Sequence, residues 1–311
     1  MSGAPGPAPV RGVLAALGCY LLWGLVPLYW RQLAAIDAHE LIAHRLVWTL
    51  VFTAPLLGWL GGWREARMAL SSWRSLGLNF LSSALLTTNW LVYVWAVNAG
   101  HVLETSLGYF LVPLVNVAIG WGVLHERLRP AQWGAIALAV AGVALELIHL
   151  GHLPWIALSI AATFGTYGLL RKQSPLGPLT GLTVETLLLA PFAAALLLWR
   201  LHAGTGALGH NPAGIELLVL SAGVITAVPL LLFADGARRL KLTTLGLLQY
   251  VAPTVQFALG VWVFHEGFNR ERAQAFALIW AGLAIYSADA LWAQRHHAVN
   301  AFTRTSPRAT G

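Results

Sequence analysis

Charge is what this chain lacks. Only 10% of its 311 residues are Asp, Glu, Lys or Arg, against about 25% in an ordinary soluble domain, too few for a water-facing surface. Cysteine is almost missing as well, and the single Cys19 excludes an intramolecular disulfide and a cysteine-based metal cluster. No glycine-rich loop ends in Gly-Lys-Ser/Thr, so no ATP-binding motif is present and the driving force for any work must be a gradient. The net charge of +7 does not point to nucleic acid, because the basic residues are spread over alternate short connections and form no patch or stripe.

What is abundant is apolar sequence, 58% of the chain, gathered into segments near the ~20 residues that cross a bilayer. Ten helical spans are expected, over residues 12–32, 40–61, 76–97, 102–124, 131–149, 153–171, 180–200, 214–236, 243–264 and 273–292. The fold class is therefore all-α integral membrane. With only short connections between spans, the protein acts inside or across the membrane, which makes catalysis on soluble substrates a poor fit. The start, MSGAPGPAPV, reads as a disordered tail over 1–11 and not as a cleaved signal peptide. The end, over 293–311, reads as a basic disordered tail.

Placing both termini in the cytoplasm puts Arg11, Arg64, Arg67, Arg74, Arg127, Arg129, Arg171, Lys172, Arg238, Arg239, Lys241, Arg295, Arg304 and Arg308 on the inside. Only Arg31, Arg45, Arg200, Arg270 and Arg272 fall outside, as the positive-inside rule requires. Trp30, Trp63, Trp73, Trp155 and Trp292 near span ends suit an interfacial belt or plain apolar filling.

The chain also repeats itself. An offset of 140 residues aligns PLVNVAIGWGVLHE, 113 to 126, with PTVQFALGVWVFHE, 253 to 266, and goes on to pair Ala141-Gly142 with Ala281-Gly282 and Arg31 with Arg171. Two units follow, 12–149 and 153–292, each of five spans. Five is odd, so the second unit enters the membrane from the opposite side. Inverted repeats of this kind are the usual architecture of secondary transporters, whose halves exchange conformations about a central site.

The spacing of Pro113 and Glu126, followed by Arg-Pro-Ala-Gln-Trp-Gly and Ala-Val-Ala-Gly, resembles the EamA domain of the drug/metabolite transporter superfamily. Within it, GCYLLWGLVPLYWRQL, HELIAHRLVW and NWLVYVWAVNAGHVLETSLGYFLVPLVNV resemble the RarD group. The resemblance covers almost the whole chain and implies a ten-helix inner-membrane transporter of two EamA repeats. One departure is Arg272 in the second repeat, where the first has Gln132.

Candidate residues fall into three sets. Glu126 and Glu266 stand at helix ends, where a carboxylate accepts from the free N–H groups of the following helix and complements its dipole; gating is the alternative. His125 and His265 beside them read as interfacial fillers. Tyr109, Pro113, Asn116 and Gly120 share one helical face, matched in the second repeat by Gln249, Pro253, Gln256 and Gly260. The prolines and glycines are hinge or gating candidates, and the amides and phenol either line a cavity or bond neighbouring helices. Asn79, Ser83, Asn89 and Tyr93, mixed with Trp90 and Trp95, suit an amphipathic organic substrate. Pro229 and Phe233 replace Asn89 and Tyr93 in the second repeat, so the cavity is expected to be chemically lopsided.

The third set lies in HELIAHRLVW. His39 and His44 are five apart, which turns them about 140° from one another, whereas a zinc-binding helix needs four. No metal and no cofactor are expected. Arg45, several residues inside its span, costs ~3 kcal/mol at mid-bilayer unless it faces a partner or wet cavity. At the repeat offset it meets Glu185. Arg45 is expected to hold an anionic group of the substrate, and Glu185 either to pair with Arg45 or to take up a proton; the alternative is snorkelling of both. His44 is a second proton-coupling candidate. The binding set is then Arg45, Asn89, Tyr93, Tyr109, Asn116, Gln249 and Gln256.

These readings converge on a secondary transporter, an exporter of a small organic metabolite or drug. An ion channel, which wants a continuous ring of charges or carbonyls, a non-transporting membrane scaffold and an intramembrane enzyme are the rivals. The expected partners are a small-molecule substrate and membrane lipids, with a monomer or homodimer equally open.

Overall fold

The computed structural model describes residues 7–98, 102–150, 154–263, 273–274, 277–286 and 288–289. Among them it holds eleven α-helices and no strand. In chain order these are α1 (Pro7–Trp30), α2 (Ala38–Trp59), α3 (Trp63–Ser71), α4 (Trp73–Asn98), α5 (Val102–Gly122), α6 (Pro130–Leu150), α7 (Trp155–Gln173), α8 (Pro178–His202), α9 (Ala213–Arg239), α10 (Leu242–Gln249) and α11 (Val251–Trp262). A 3-10 turn, Arg31–Leu33, follows α1, and Ala277–Tyr286 is a further apolar helical stretch. Four segments are long and apolar enough to cross a membrane: Val10–Leu33, Ala38–Trp59, Pro178–His202 and Ala213–Arg239. Large side chains such as Phe192, Leu217 and Trp199 face outward from them, as a lipid-facing surface does.

Two features depart from ten plain spans. The connection between residues 61 and 76 contains α3, a short helix whose Trp63, Ala66, Ala69 and Leu70 pack on Leu57, Leu176 and Val184, while Arg64 and Arg67 stay exposed. Nine residues with one apolar stripe lie along a surface and do not cross a bilayer. The expected span 243–264 is broken at Tyr250 into α10 and α11. Pro253 lies just past the break: it has no N–H to give the carbonyl of Gln249. Its counterpart Pro113 sits inside an unbroken α5.

Helix α5 packs on α7 and α10, α1 on α9 and α11, α4 on α7, and α2 on both α8 and α9. Small residues permit the crossings. A Cβ on Gly24 would stand 2.5 Å from Val255, and one on Gly165 would stand 2.5 Å from Val115. Helix α2 also comes close to α9, where a Cβ on Gly223 would lie 2.2 Å from the Trp48 carbonyl carbon. Helices α2 and α8 are antiparallel: Glu40 meets Arg200 at one end, and Leu57 clusters with Val184 at the other.

Candidate functional site

The Asp37 carboxylate caps α2 by accepting from the amides of His39 and Glu40, so the helix starts at Ala38 and brings Arg45 about 10 Å along the axis. There the guanidinium lies between two indoles, its Cζ 4.0 Å from the Trp90 ring centroid and 4.9 Å from that of Trp30. Its Nε donates to Thr226 Oγ1 of α9 at 3.1 Å. Tyr93 and Tyr109 meet edge to face nearby, with centroids 5.5 Å apart. Among the described residues no carboxylate stands within ion-pair distance of Arg45, whereas Arg11, Arg129, Arg171, Lys172, Arg200 and Arg239 each have one. One positive charge in an aromatic box is thus left to attract an anion.

Glu185 does not pair with Arg45. Its carboxylate accepts from Ser82 Oγ at 2.5 Å, Arg171 Nη1 at 3.4 Å and Tyr167 OH at 3.5 Å, and the Arg171 and Glu185 side chains are each 2% exposed. The antiparallel packing of α2 and α8 explains the correction. Equivalent positions counted from the two helix starts lie at opposite ends of the contact, separated by about ten residues or ~15 Å. Gly181 lets the guanidinium cross α8, since a Cβ there would be 2.0 Å from Arg171 Nη1.

Between the two charged clusters runs a narrow cleft among α2, α4, α8 and α9. Trp90 and Thr226, both partners of Arg45, line it together with Glu185, Ser83, Thr87 and Thr186. The cleft therefore joins the neighbourhood of a free cation to that of a paired anion.

The remaining candidates sit in helix contacts. Asn116 donates to Gln249 Oε1 at 3.0 Å across the α5–α10 crossing, and both are buried. Gln256 donates to the Trp23 carbonyl at 3.1 Å, and Asn89 to the Ile160 carbonyl at 2.9 Å and Thr163 Oγ1 at 3.0 Å. Asn79 turns back on its own helix, to the Ser75 carbonyl. Asn116, Gln249, Gln256 and Asn89 thus bond across helix contacts, whereas Ser83 of the same stripe lines the cleft. His39 and His44 diverge: His39 is exposed beside Asp37, whereas His44 is buried against Glu40 and Trp48. Glu266 and His265 lie outside the described residues, and nothing is placed around Gly260 beyond its position in α11.

Glu126 caps a helix, but not the following one. Its oxygens accept from Leu242 N at 2.7 Å, Thr243 N at 3.0 Å and Thr243 Oγ1 at 2.8 Å, at the start of α10. The helix that follows, α6, begins with Pro130, which has no N–H to donate. Gly120 makes the arrangement possible, since a Cβ there would be 2.8 Å from both Glu126 Oε2 and Thr243 Cγ2. Glu126→Gln is expected to lower stability by about 1–2 kcal/mol, the worth of a good charged cap, read as a lower midpoint of denaturant unfolding in micelles. An unchanged midpoint would remove the cap from the list of what holds α10.

The sequence reading put Arg171 at the cytoplasmic end of a span and Arg200 on the outer side, and passed over Tyr167, Ser82 and Thr226. The spacing Tyr167 to Arg171, one turn apart on α7, was the available signal.

A profile of the EamA-like transporter family matches residues 10–148. An uncharacterized transporter of Vibrio cholerae is 42% identical over 281 residues, covering 90% of this chain and 93% of its own. Protein RarD of Escherichia coli is 40% identical over 285 residues, covering 92% and 96%. A solved crystal structure matches in fold with a TM-score of 0.67 at 20% identity, over 88% of this chain and 96% of the other.

Proposed function

The chain belongs to the RarD group of EamA-like transporters, a bacterial membrane family, and from that premise we propose that it is a secondary transporter exporting a small organic anion or zwitterion. The carrying observation is Arg45, half-buried between Trp30 and Trp90 and without a carboxylate partner among the described residues. Such a charge binds a substrate carboxylate with its planar fork of donors. Tyr93 and Tyr109 supply hydroxyls and ring edges beside it, while Asn89, Asn116, Gln249 and Gln256 hold the walls and exchange partners when the helices move.

The movement we propose is alternating access of two inverted five-span halves, 12–149 and 153–292. The helix contacts support this reading. Shifting numbers by 140 exchanges α1 with α7, α4 with α9 and α5 with α10 and α11, and the packing of α5 on α7 then becomes that of α11 on α1. Val115 against Gly165 and Val255 against Gly24 follow the same rule within one residue. Pro253 at the α10–α11 break, with Pro113, Gly120 and Gly260, is the proposed hinge set. The protein is placed in the inner membrane with both termini cytoplasmic, as a monomer or homodimer.

Wild-type proteoliposomes exposed to a mixed metabolite extract, read by mass spectrometry, test the reading. Accumulation of an anionic or zwitterionic compound above protein-free vesicles supports it; steady single-channel currents with no accumulation would replace it by the channel. Proton uptake by Glu185 would release Arg171, so Glu185→Gln is expected to make transport insensitive to an imposed pH gradient. Intact pH coupling in that variant would end the proton role of Glu185.

A further inference from the structure

Just before Arg45, α2 carries two titratable groups that the anion site does not use. Glu40 and His44 are each 3% exposed. Their i,i+4 spacing continues to Trp48 and stacks three side chains along one face. The His44 ring lies between the other two, with Nδ1 3.2 Å from the Trp48 indole nitrogen and Nε2 3.6 Å from Glu40 Oε1. An indole N–H only donates, so Nδ1 is the acceptor and the single proton of the ring sits on Nε2, facing the carboxylate. Among the described residues that nitrogen has no hydrogen-bond partner.

A second proton on the ring changes this geometry. It sets an N–H of His44 against the N–H of Trp48, while the new positive charge is drawn toward Glu40. The Trp48 main-chain carbonyl also lies against Gly223 of α9, and the next residue, Thr49, donates to the Gly223 carbonyl at 3.3 Å. Displacing Trp48 therefore acts on the seam that Arg45 and Thr226 also cross. The other charged groups around the pair are Arg200 of α8, 3.6 Å from Glu40 Oε2, and Asp37, 2.7 Å from Arg200. Arg45 is adjacent in sequence but turned to Thr226 and Trp90. From α4 and α9, no described side chain forms an ion pair with His44.

The geometry points to His44, backed by Glu40, as a proton-binding site whose occupation loosens the α2–α9 seam. Its purpose rests on the transporter reading, whereas its titration does not need transport to be measured.

Protein labelled with ¹³C-histidine in lipid nanodiscs is titrated from about pH 4 to 9, and the His44 ring is assigned by its disappearance in His44→Gln. Trp48→Phe removes the competing donor and keeps the aromatic bulk, so the midpoint is expected to rise by at least about half a unit, roughly threefold in proton affinity. Glu40→Gln removes the carboxylate that favours the imidazolium and is expected to lower it similarly. Spin labels at Val51 and Val224, both exposed, in a Cys19→Ser background are expected to move apart on acidification in the otherwise native chain and to stay put in His44→Gln. Equal midpoints in wild type and Trp48→Phe, or the same acid-induced distance change with and without His44, overturn the site. Should Glu40→Gln not fold, Trp48→Phe decides alone. Wild-type vesicles that accumulate nothing would count against the transporter reading and leave the titration standing.

Discussion

Arg45→Ala is expected to cut the initial rate of anionic-substrate uptake into proteoliposomes by about ten- to a hundredfold. The magnitude follows from losing charge-assisted contacts worth about 1.5–3 kcal/mol. Stability is expected to change little by comparison, because Arg45 has no carboxylate that its removal would strand among the described residues. Its partners are two indoles and the Thr226 hydroxyl, groups that tolerate the loss of a cation. Arg45→Lys keeps the charge but not the planar fork or the stacking between rings, so an intermediate rate is expected. Initial rates are compared at matched reconstitution, with elution as a single species as the folding control. Equal uptake by wild type and Arg45→Ala would keep transport and remove Arg45 from the site.

The largest expected effect on stability lies at the other end of the cleft. Arg171→Met is expected to cost about 3–5 kcal/mol, since it leaves the Glu185 carboxylate in the protein interior without its countercharge. The double variant Arg171→Met/Glu185→Gln is expected to recover most of that loss, because a neutral amide can still bond Ser82 and Tyr167. The checking measurement is denaturant unfolding in micelles of wild type, both single variants and the double variant. An additive pair of effects would mean that the two residues do not act through one another.

The contrast between the two arginines is the physical content of the site. Both lie inside helix spans, but among the described residues only Arg171 has a carboxylate partner. A bilayer-embedded cation without a countercharge is costly unless something brings one. A transported carboxylate does so transiently, which is the differential interaction that an alternating cycle needs.

Much of this was legible before any fold was known. Low charge and long apolar runs identify the solvent, because a chain with so few ionisable groups is stable only where lipid covers it. The positions of α1, α2 and α4 to α9 follow from the same runs, since backbone groups in lipid have only the helix or a closed barrel to satisfy them. Membership of the transporter family was readable from motifs such as HELIAHRLVW, and Arg45 stood out as a cation inside a span. None of that depends on which helices become neighbours.

Partnership does depend on it, and there the tertiary structure decided. Arg45 and Glu185 coincide in the repeat alignment, yet antiparallel packing of α2 and α8 sends them to opposite ends of the contact, and Glu185 takes Arg171 instead. Glu126 looked like a cap for the helix after it, but Pro130 offers no N–H, and the amides of Leu242 and Thr243 arrive from far along the chain. The amides of Asn116 and Gln249 could have lined a cavity or bonded neighbouring helices, and Asn116 donates to Gln249 across the α5–α10 contact. Burial and periodicity are properties of a segment, so a sequence states them; a hydrogen bond or ion pair needs two atoms within a few ångströms, and only the folded arrangement of helices sets that distance.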